Sequence, residues 1–525
     1  MRRLSRVWVV LFAALLAVGA CSGGSSATND GADGEADPNA SLIFYDASGN
    51  ETLDPAHANN NSSLSYETLL AVYDRLIHLS DKGEPIPGLA AKWEYNNDLT
   101  QFTMHLRKNA TFHDGTPVDA KAVIANFDRD RALKQPIGET MKNGLDLMKS
   151  YSAPDDHTVV IEMTKSSGQM EYWLSANVGM MVSPKALKPG AFGPTLEPIG
   201  AGPYKVESFE SNVVTKMVRY DDYWGGAEGR PKRFENHYVP DGQARLNALR
   251  SGQANLAILD ANQIPTAKSS GLEVQINPKT SAWNIYTNLS GPDIGNLKVR
   301  QAIMYAIDRK ALVDALTFGS GEATNQLFPK GHPVFIEELA DRYDYDPQKA
   351  KDLLAEAGKA DGVDIDFILL NNTEYKQLAE ALQQMLAKVN IRLKFETVDI
   401  SQAVIFRGEK PRGEVMMARW GGRPDPLQTF QEVTSSEGTY TPGGVASPKI
   451  DELVAEASVL RPGDPERLKT IRAINAEVVE QAATFPIMIR SNVFAYNKGC
   501  IHDLTPYLPA GDDRMNDVTV SSGCN

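Results

Sequence analysis

"YDPQKAKDLLAEAGKADGVDIDFILLNNTEYKQLAEALQQMLAKVNIRLKFETV", residues 345–398, decides the fold. "DPQKAKDLLAEAG" has helical spacing and stops at Gly358, a residue suited to the left-handed turn that ends helices. "IDFILL" is a short apolar run of the buried-strand kind. "EYKQLAEALQQMLAKVN" is a second helix, ending at Asn390, and "IRLKFETV" returns to strand. Strand and helix alternate, the pattern of an α/β domain. Working outward, "LKVRQAIMYAIDRKALVDAL" (297–316) predicts a helix with Val299, Ala302, Ile303, Ala306 and Ile307 on its core face. "DPERLKTIRAINAEVVEQA" predicts another. The first half is mixed. "SLIFYDA" (41–47), "QFTMHLR", "TVVIEMT", "PYKVESFE", "VVTKMVRY", "ENHYVP" and "NLAILD" read as strands. "VDAKAVIANFDRDRAL", "DGQARLNALRSG" and "LSYETLLAVYDRLIHLS" (64–80) read as helices, the last with Leu69, Leu70, Val72, Tyr73, Leu76 and Ile77 at helical spacing.

The chain has 525 residues, too many for one compact core. Its 42% hydrophobic and 23% charged residues are ordinary for a soluble globular protein. The net charge is −14, and without the first 20 residues, which hold Arg2, Arg3 and Arg6 and no acid, it is −17. An acidic surface argues against nucleic acid and anionic membrane as ligands. "MRRLSR" is a basic leader and "VWVVLFAALLAV" an apolar run too short to span a bilayer comfortably. "VGAC" (18–21) resembles a bacterial lipobox, which implies a signal peptide over 1–20 and lipid attachment at Cys21. The alternative is an ordinary secretory signal. "SGGSSATNDGADGEADPNA" (22–40) reads as a solvated tether. Cys500 and Cys524 remain. In an exported chain they are expected to form a disulfide, the alternative being two buried thiols.

Signatures of catalysis are missing. There is no G-x-S-x-G elbow, H-E-x-x-H or Walker loop. "IGAGPY" (199–204) has Pro203 where a phosphate-binding helix would begin. The histidines are scattered, and the "FHDG" pair at 112–115 reads as a tight turn. No catalytic residue, metal site or cofactor is expected.

Several stretches resemble one family in that family's order: the lipobox, "TLDP" (52–55), "IPGLAAKWEYNNDLTQFTMHLRKNATFHDGTPVDAKAV" (86–123), "PIGAGPYKVESFE" (198–210), "YWGG" (223–226), "LKVRQAIMYAIDRKALV" (297–313), "YDPQKAKDLLAEAG" (345–358) and "SPKIDELVAEA" (447–457). The chain resembles the family 5 extracellular solute-binding proteins, the oligopeptide-, dipeptide- and nickel-binding lipoproteins of ABC importers. The resemblance implies a two-lobed periplasmic-binding-protein fold of type II, cluster C, with an extra small domain. It implies domain I from 41–75, 195–280 and 488–525, domain II over 76–194 and domain III over 281–487. The lobes would close over a ligand and dock on a permease. The implied protein is a monomer, exported and lipid-anchored to the outer face of the cell membrane, with a peptide or small-molecule ligand and no nucleic acid partner.

"ARWGGRPDP" (418–426) departs from the family. In the peptide binders an aspartate three residues after a cleft tryptophan pairs with the ligand's α-amino group. Here the third residue after Trp420 is Arg423. Asp425 either takes that aspartate's place or matches the Asp-Pro that ends the turn. Arg423 either binds an acidic group on the ligand, as a planar guanidinium suits, or pairs with Asp425 or another protein carboxylate. Trp420 is either an aromatic wall of the pocket or core, and Gly421 and Gly422 let the backbone approach a ligand. In "SAWNIYTNLS" (281–290), Trp283, Ile285 and Thr287 point one way and Asn284, Tyr286 and Asn288 the other. Trp283, Tyr286, Asn288 and, in the first strand, Tyr45 complete the expected ligand contacts. Besides a peptide, a non-peptide acid (opine-like, aromatic or sugar acid) fits this reading. A secreted hydrolase and a surface protein without transport role are the other classes.

Overall fold

The computed structural model describes residues 35–57, 66–135, 137–407, 410–505 and 515–524. Cys21 and the signal segment lie outside them. The quoted stretch folds as read. Helix Pro347–Glu356 is followed by Gly358 at φ 74°, strand Val363–Leu370, helix Thr373–Ala387, Asn390 at φ 63° and strand Ile391–Val398. The two strands are parallel neighbours in full register, from Val363 opposite Ile391 to Leu370 opposite Val398. The helix between them supplies the crossover that parallel strands need.

Those strands open an eleven-stranded sheet, ten strands in one order and a short one, Glu322–Ala323, paired off it with Ile489 and Met488. Next come Val415–Trp420, then two long antiparallel strands, Leu272–Thr287 and Phe485–Asn497. Beyond them lie Leu256–Leu259, Ser41–Asp46, Arg233–Tyr238, Val214–Arg219 and Tyr204–Glu210. The two long strands run through both halves of the sheet. Leu272–Pro278 pairs with Asn497–Ser491 in one half, the register breaks between Pro278 and Ala282, and Ala282–Ile285 pairs with Ile489–Phe485 in the other. A separate antiparallel sheet holds Ala90–Tyr95, Gln101–Leu106, Thr158–Met163 and Met148–Asp155 in that order.

The apolar side chains gather in distinct cores. One, around Phe102, Phe127 and Ile161, belongs to the four-stranded sheet and its helices. A second, around Phe44, Phe234 and Phe494, lies under the Ser41–Asp46 half of the large sheet. Ile303, Phe367 and Leu382 centre a third, and Tyr286, Trp420 and Phe430 a fourth, on opposite faces of the α/β half. Burying such surface at about 25 cal/mol per Å² is the main force holding each unit together.

Three expectations change. Of the stretch read as helix over 64–80, the described residues are helical at Tyr66–Val72, and Ile77–Leu79 is a strand paired with Pro85–Pro87. All seven helical residues are buried, so the apolar run reflects burial on every side, not one face of a longer helix. The helix read over 297–316 divides at Ile307, where Asp308 caps a second helix through Ala311 N at 3.0 Å. The end of the supposed tether is folded. Asp37 N donates to Val520 O at 2.8 Å, Ala36 bridges Ser521, and Ala40 is buried. The Cys500–Cys524 disulfide ties that C-terminal tail back to the end of the Phe485–Asn497 strand.

Candidate functional site

Strand Val415–Trp420 delivers the turn 421–425, and Asp425 starts helix Pro426–Val433. Gly422 sits at φ 79°, a conformation that favours glycine. Asp425 is fully buried and committed twice. Its Oδ1 caps the helix by accepting from Leu427 N at 3.1 Å, and its Oδ2 accepts from Arg467 Nη2 at 2.6 Å. Both carboxylate oxygens of Asp425 therefore serve the fold.

Arg423 has a partner within the protein. Its Nε donates to Glu432 Oε1 at 2.8 Å, its Nη2 to Glu432 Oε2 and its Nη1 to Gly422 O at 2.9 Å. Its guanidinium also lies 4.5 Å from the Trp420 ring centre. Burial alone would lower its pKa, but the Glu432 carboxylate outweighs burial and holds Arg423 charged. Of the two readings of Arg423, the geometry is that of pairing with a protein carboxylate, and the carboxylate is Glu432, not Asp425.

Trp420 is buried, donates from Nε1 to Thr429 Oγ1 at 3.3 Å and meets Tyr440 edge-on at 5.6 Å. It is core beneath the site. Trp283, expected at the ligand, lies in the opposite core, edge-on to Tyr375 at 4.6 Å. Asn288 holds a loop, giving Nδ2 to Gly413 O and accepting at Oδ1 from Ser290. Tyr45 stacks on His237 in a strand four places along the sheet from Trp420. Of the strand residues, Tyr286 alone joins the turn's cluster, stacked on Tyr440 at 4.7 Å.

The turn faces the unit built on the four-stranded sheet. Thr439 Oγ1 donates to Glu139 Oε1 at 2.9 Å, Gln169 Nε2 to Gln431 Oε1 at 3.2 Å, and Gly168 N to Ser458 O at 2.9 Å. Arg467 lies 5.7 Å from the Tyr172 ring centre. Beside Tyr172, Glu171 accepts from Tyr95 Oη. Burial pushes the Glu171 carboxyl up to about 7, against the pull of the Tyr95 bond and of Arg467. Between the two units runs a cleft of roughly 900 Å³. Trp173, Lys165 and Asn143 line it from one side, and Gln428, Glu432 and Asp451 from the other. Among the described residues, no three His, Cys, Asp or Glu side chains gather to hold a metal. "FHDG" is the turn expected, with Gly115 at φ 78° and His113 bonded to Gly202 O at 2.9 Å.

Sequence reading missed Glu432, Tyr440 and Arg407. Glu432 lies nine residues after Arg423, on the helix that the turn opens, which was a usable signal. Arg407 follows a 3-10 segment, Ile400–Phe406, that shows no periodicity.

Comparison with known proteins agrees with this architecture. Residues 84–441 match the sequence profile of the bacterial extracellular solute-binding proteins, family 5 (middle). The chain is 28% identical to heme-binding protein A of Haemophilus influenzae, over 91% of this chain and 93% of that protein. It is 30% identical to a putative ABC transporter peptide-binding protein of Brucella ovis, over 68% of this chain and 70% of the other. The solved structure of HbpA2 from Haemophilus parasuis superposes with a TM-score of 0.77 at 24% identity, covering 92% of this chain and all of that one. With a match over most of its length, this chain belongs to the bacterial extracellular solute-binding proteins, family 5.

Proposed function

We propose that this protein is the capture subunit of an ABC importer, closing two lobes over a peptide or peptide-like organic solute and delivering it to permease subunits. The observation that carries this reading is the pair of long strands, 272–287 and 485–497, which join two halves with a register break at one level. Strands that cross once in each direction form a hinge about which two rigid bodies move. One lobe is domain III, 281–487. The other combines domain I (41–75, 195–280 and 488–525) with domain II (76–194). A cleft of roughly 900 Å³ between domains II and III is in the size range of small-molecule sites. The protein acts as a monomer, exported and held at the outer face of the cell membrane by a lipid on Cys21. It binds without catalysing a reaction.

The relatives' names divide between heme and peptides, so the ligand has to be argued from the site. A second reading, a non-peptide acid, is favoured by the Arg407 guanidinium 4.9 Å from the Tyr440 ring centre. The test is native mass spectrometry of the protein purified without refolding. A mixed set of short peptide masses is expected. A single acidic non-peptide mass supports the second reading. An unliganded protein whose melting temperature no member of a broad solute library shifts would overturn both.

A further inference from the structure

Glu171 is an acid buried without a cation of its own. It is 4% exposed, and among the described residues its carboxyl is bonded to the Tyr95 hydroxyl and to no basic group. A buried carboxylate with no pairing cation is strongly disfavoured, while the neutral acid is tolerated. Part of that burial is supplied by the α/β half. All five residues of helix Met170–Leu174 are buried, and the segment that enters it meets the α/β half directly. Gly168 N donates to Ser458 O, Gln169 Nε2 to Gln431 Oε1, and Arg467 lies over the Tyr172 ring. Close by, Arg461 Nη2 donates to Asn96 O at 3.2 Å. The charged groups that face Glu171 across this contact are Arg467 and Asp425, already paired with each other at 2.6 Å. One cation and one anion leave the contact neutral only while Glu171 holds a proton. From its own side Glu171 faces the phenols of Tyr95 and Tyr172, both pushed up by burial, with the exposed Glu84 near Tyr172. The other elements packed on this helix bring Glu139, bonded to Thr439, the exposed Lys142–Asp146 pair, and His78, paired with Asp74. None of these places a second cation beside the carboxyl.

We infer that closing the two lobes takes up a proton, and that Glu171 is the acid that binds it: neutral where the α/β half covers it, ionised where the lobes part and water reaches it. This rests on the two-lobed capture function proposed above. Glu171 is a positioning residue, acting through the contact between lobes and not on the solute. Its neighbours Gln169 and Trp173 line the cleft, so a solute held there shares the same closure. The sign follows from which form holds the proton. The closed form binds it more tightly, so closure is favoured in acid and weakened as pH rises. A solute that needs the closed form is then held more tightly at low pH and released more readily at high pH.

The test reads closure in the unliganded protein. Spin labels are placed on the exposed positions Lys121→Cys and Lys469→Cys, one on each lobe, with Cys21→Ser to leave no competing thiol. Pulsed electron resonance then gives the closed and open populations between pH 5.5 and 8.5. With the carboxyl at about 7 when closed and at its ordinary 4.5 when open, the closed-to-open ratio should fall roughly thirtyfold over that range. Glu171→Gln should show one ratio at every pH. Tyr95→Phe removes a donor that favours the charged form, so its midpoint should move to higher pH. A purely structural role for Glu171 would shift the ratio equally at every pH, so the profile separates the two. A wild-type ratio that does not move with pH overturns the inference, as does a pH shift that survives Glu171→Gln. The same protein is offered random tri- to pentapeptides at both ends of the range, with retention read by mass spectrometry. No peptide retained, with the pH shift in place, overturns the peptide reading and upholds this inference. Peptides retained without a pH shift do the reverse.

Discussion

Removing Glu432 should unfold more than it unbinds. The Arg423 side chain is wholly buried and that of Glu432 nearly so, and two parallel bonds join them. Glu432→Ala leaves the buried guanidinium in place without its carboxylate. Stripping one partner from such a buried pair costs about 3–5 kcal/mol. For a unit of about 200 residues each kcal/mol moves the midpoint by roughly 2–4 °C, so the α/β half should melt on the order of 10 °C lower. The double variant Arg423→Met with Glu432→Leu removes both charges and fills the space. It should return most of the loss, because a well-packed apolar pair is a fair substitute for a buried ionic one. Differential scanning calorimetry of the unliganded protein measures both. A Glu432→Ala protein that melts within about 1 °C of wild type, yet loses its ligand, would refute the reasoning, since Arg423 would then act on the ligand and not on the fold.

Three further outcomes follow from other contacts. Glu171 is held protonated in the fold up to about 7, against an ordinary value of 4.5. The folded state therefore binds more protons than the unfolded one. The stability this gives is complete below about pH 4.5 and is lost as pH rises through 7, a change of about 3 kcal/mol. Glu171→Gln should flatten that part of the stability–pH curve, and identical curves for wild type and variant would count against it. A Cβ on Gly168 would stand 2.2 Å from Leu460 O across the contact between units. Gly168→Ala should raise the radius of gyration in X-ray scattering with little change in melting, whereas an unchanged radius would mean the contact yields. Replacing Cys524 by Ser releases a closure across 24 residues. A loss of about 3 kcal/mol is expected, read as a lower melting temperature that reductant does not lower further.

The α/β half was legible because its signals are local. Gly358 and Asn390 announce their turns, and each apolar run is long enough to show its period. The stretch after Leu64 misled because Leu76 and Ile77 belong to the core of the four-stranded sheet while Leu69 and Leu70 belong to the neighbouring one. Two cores in succession imitate one helical face. At 418–426 the turn itself was legible, but its charge pairs were not. The partner of Asp425 is Arg467, 42 residues away, and pairing at that range leaves no mark in spacing. Trp283 and Tyr286 are three residues apart and point to opposite faces. Alternation predicted that split without saying which face held the turn's cluster.

The two long strands have one more consequence. Asn277 stands opposite Asn492, and Pro278 opposite Ser491, so the chain enters and leaves the α/β half on neighbouring strands, about 5 Å apart. Everything between is an insertion whose two ends meet. Such a segment can be cut out as one piece and closed with a short linker, or given new termini by circular permutation, because its cores are its own. The remainder is left with two adjacent ends that a short turn can rejoin. A chain built this way can exchange the half that carries the turn's cluster while keeping the half that carries its tail.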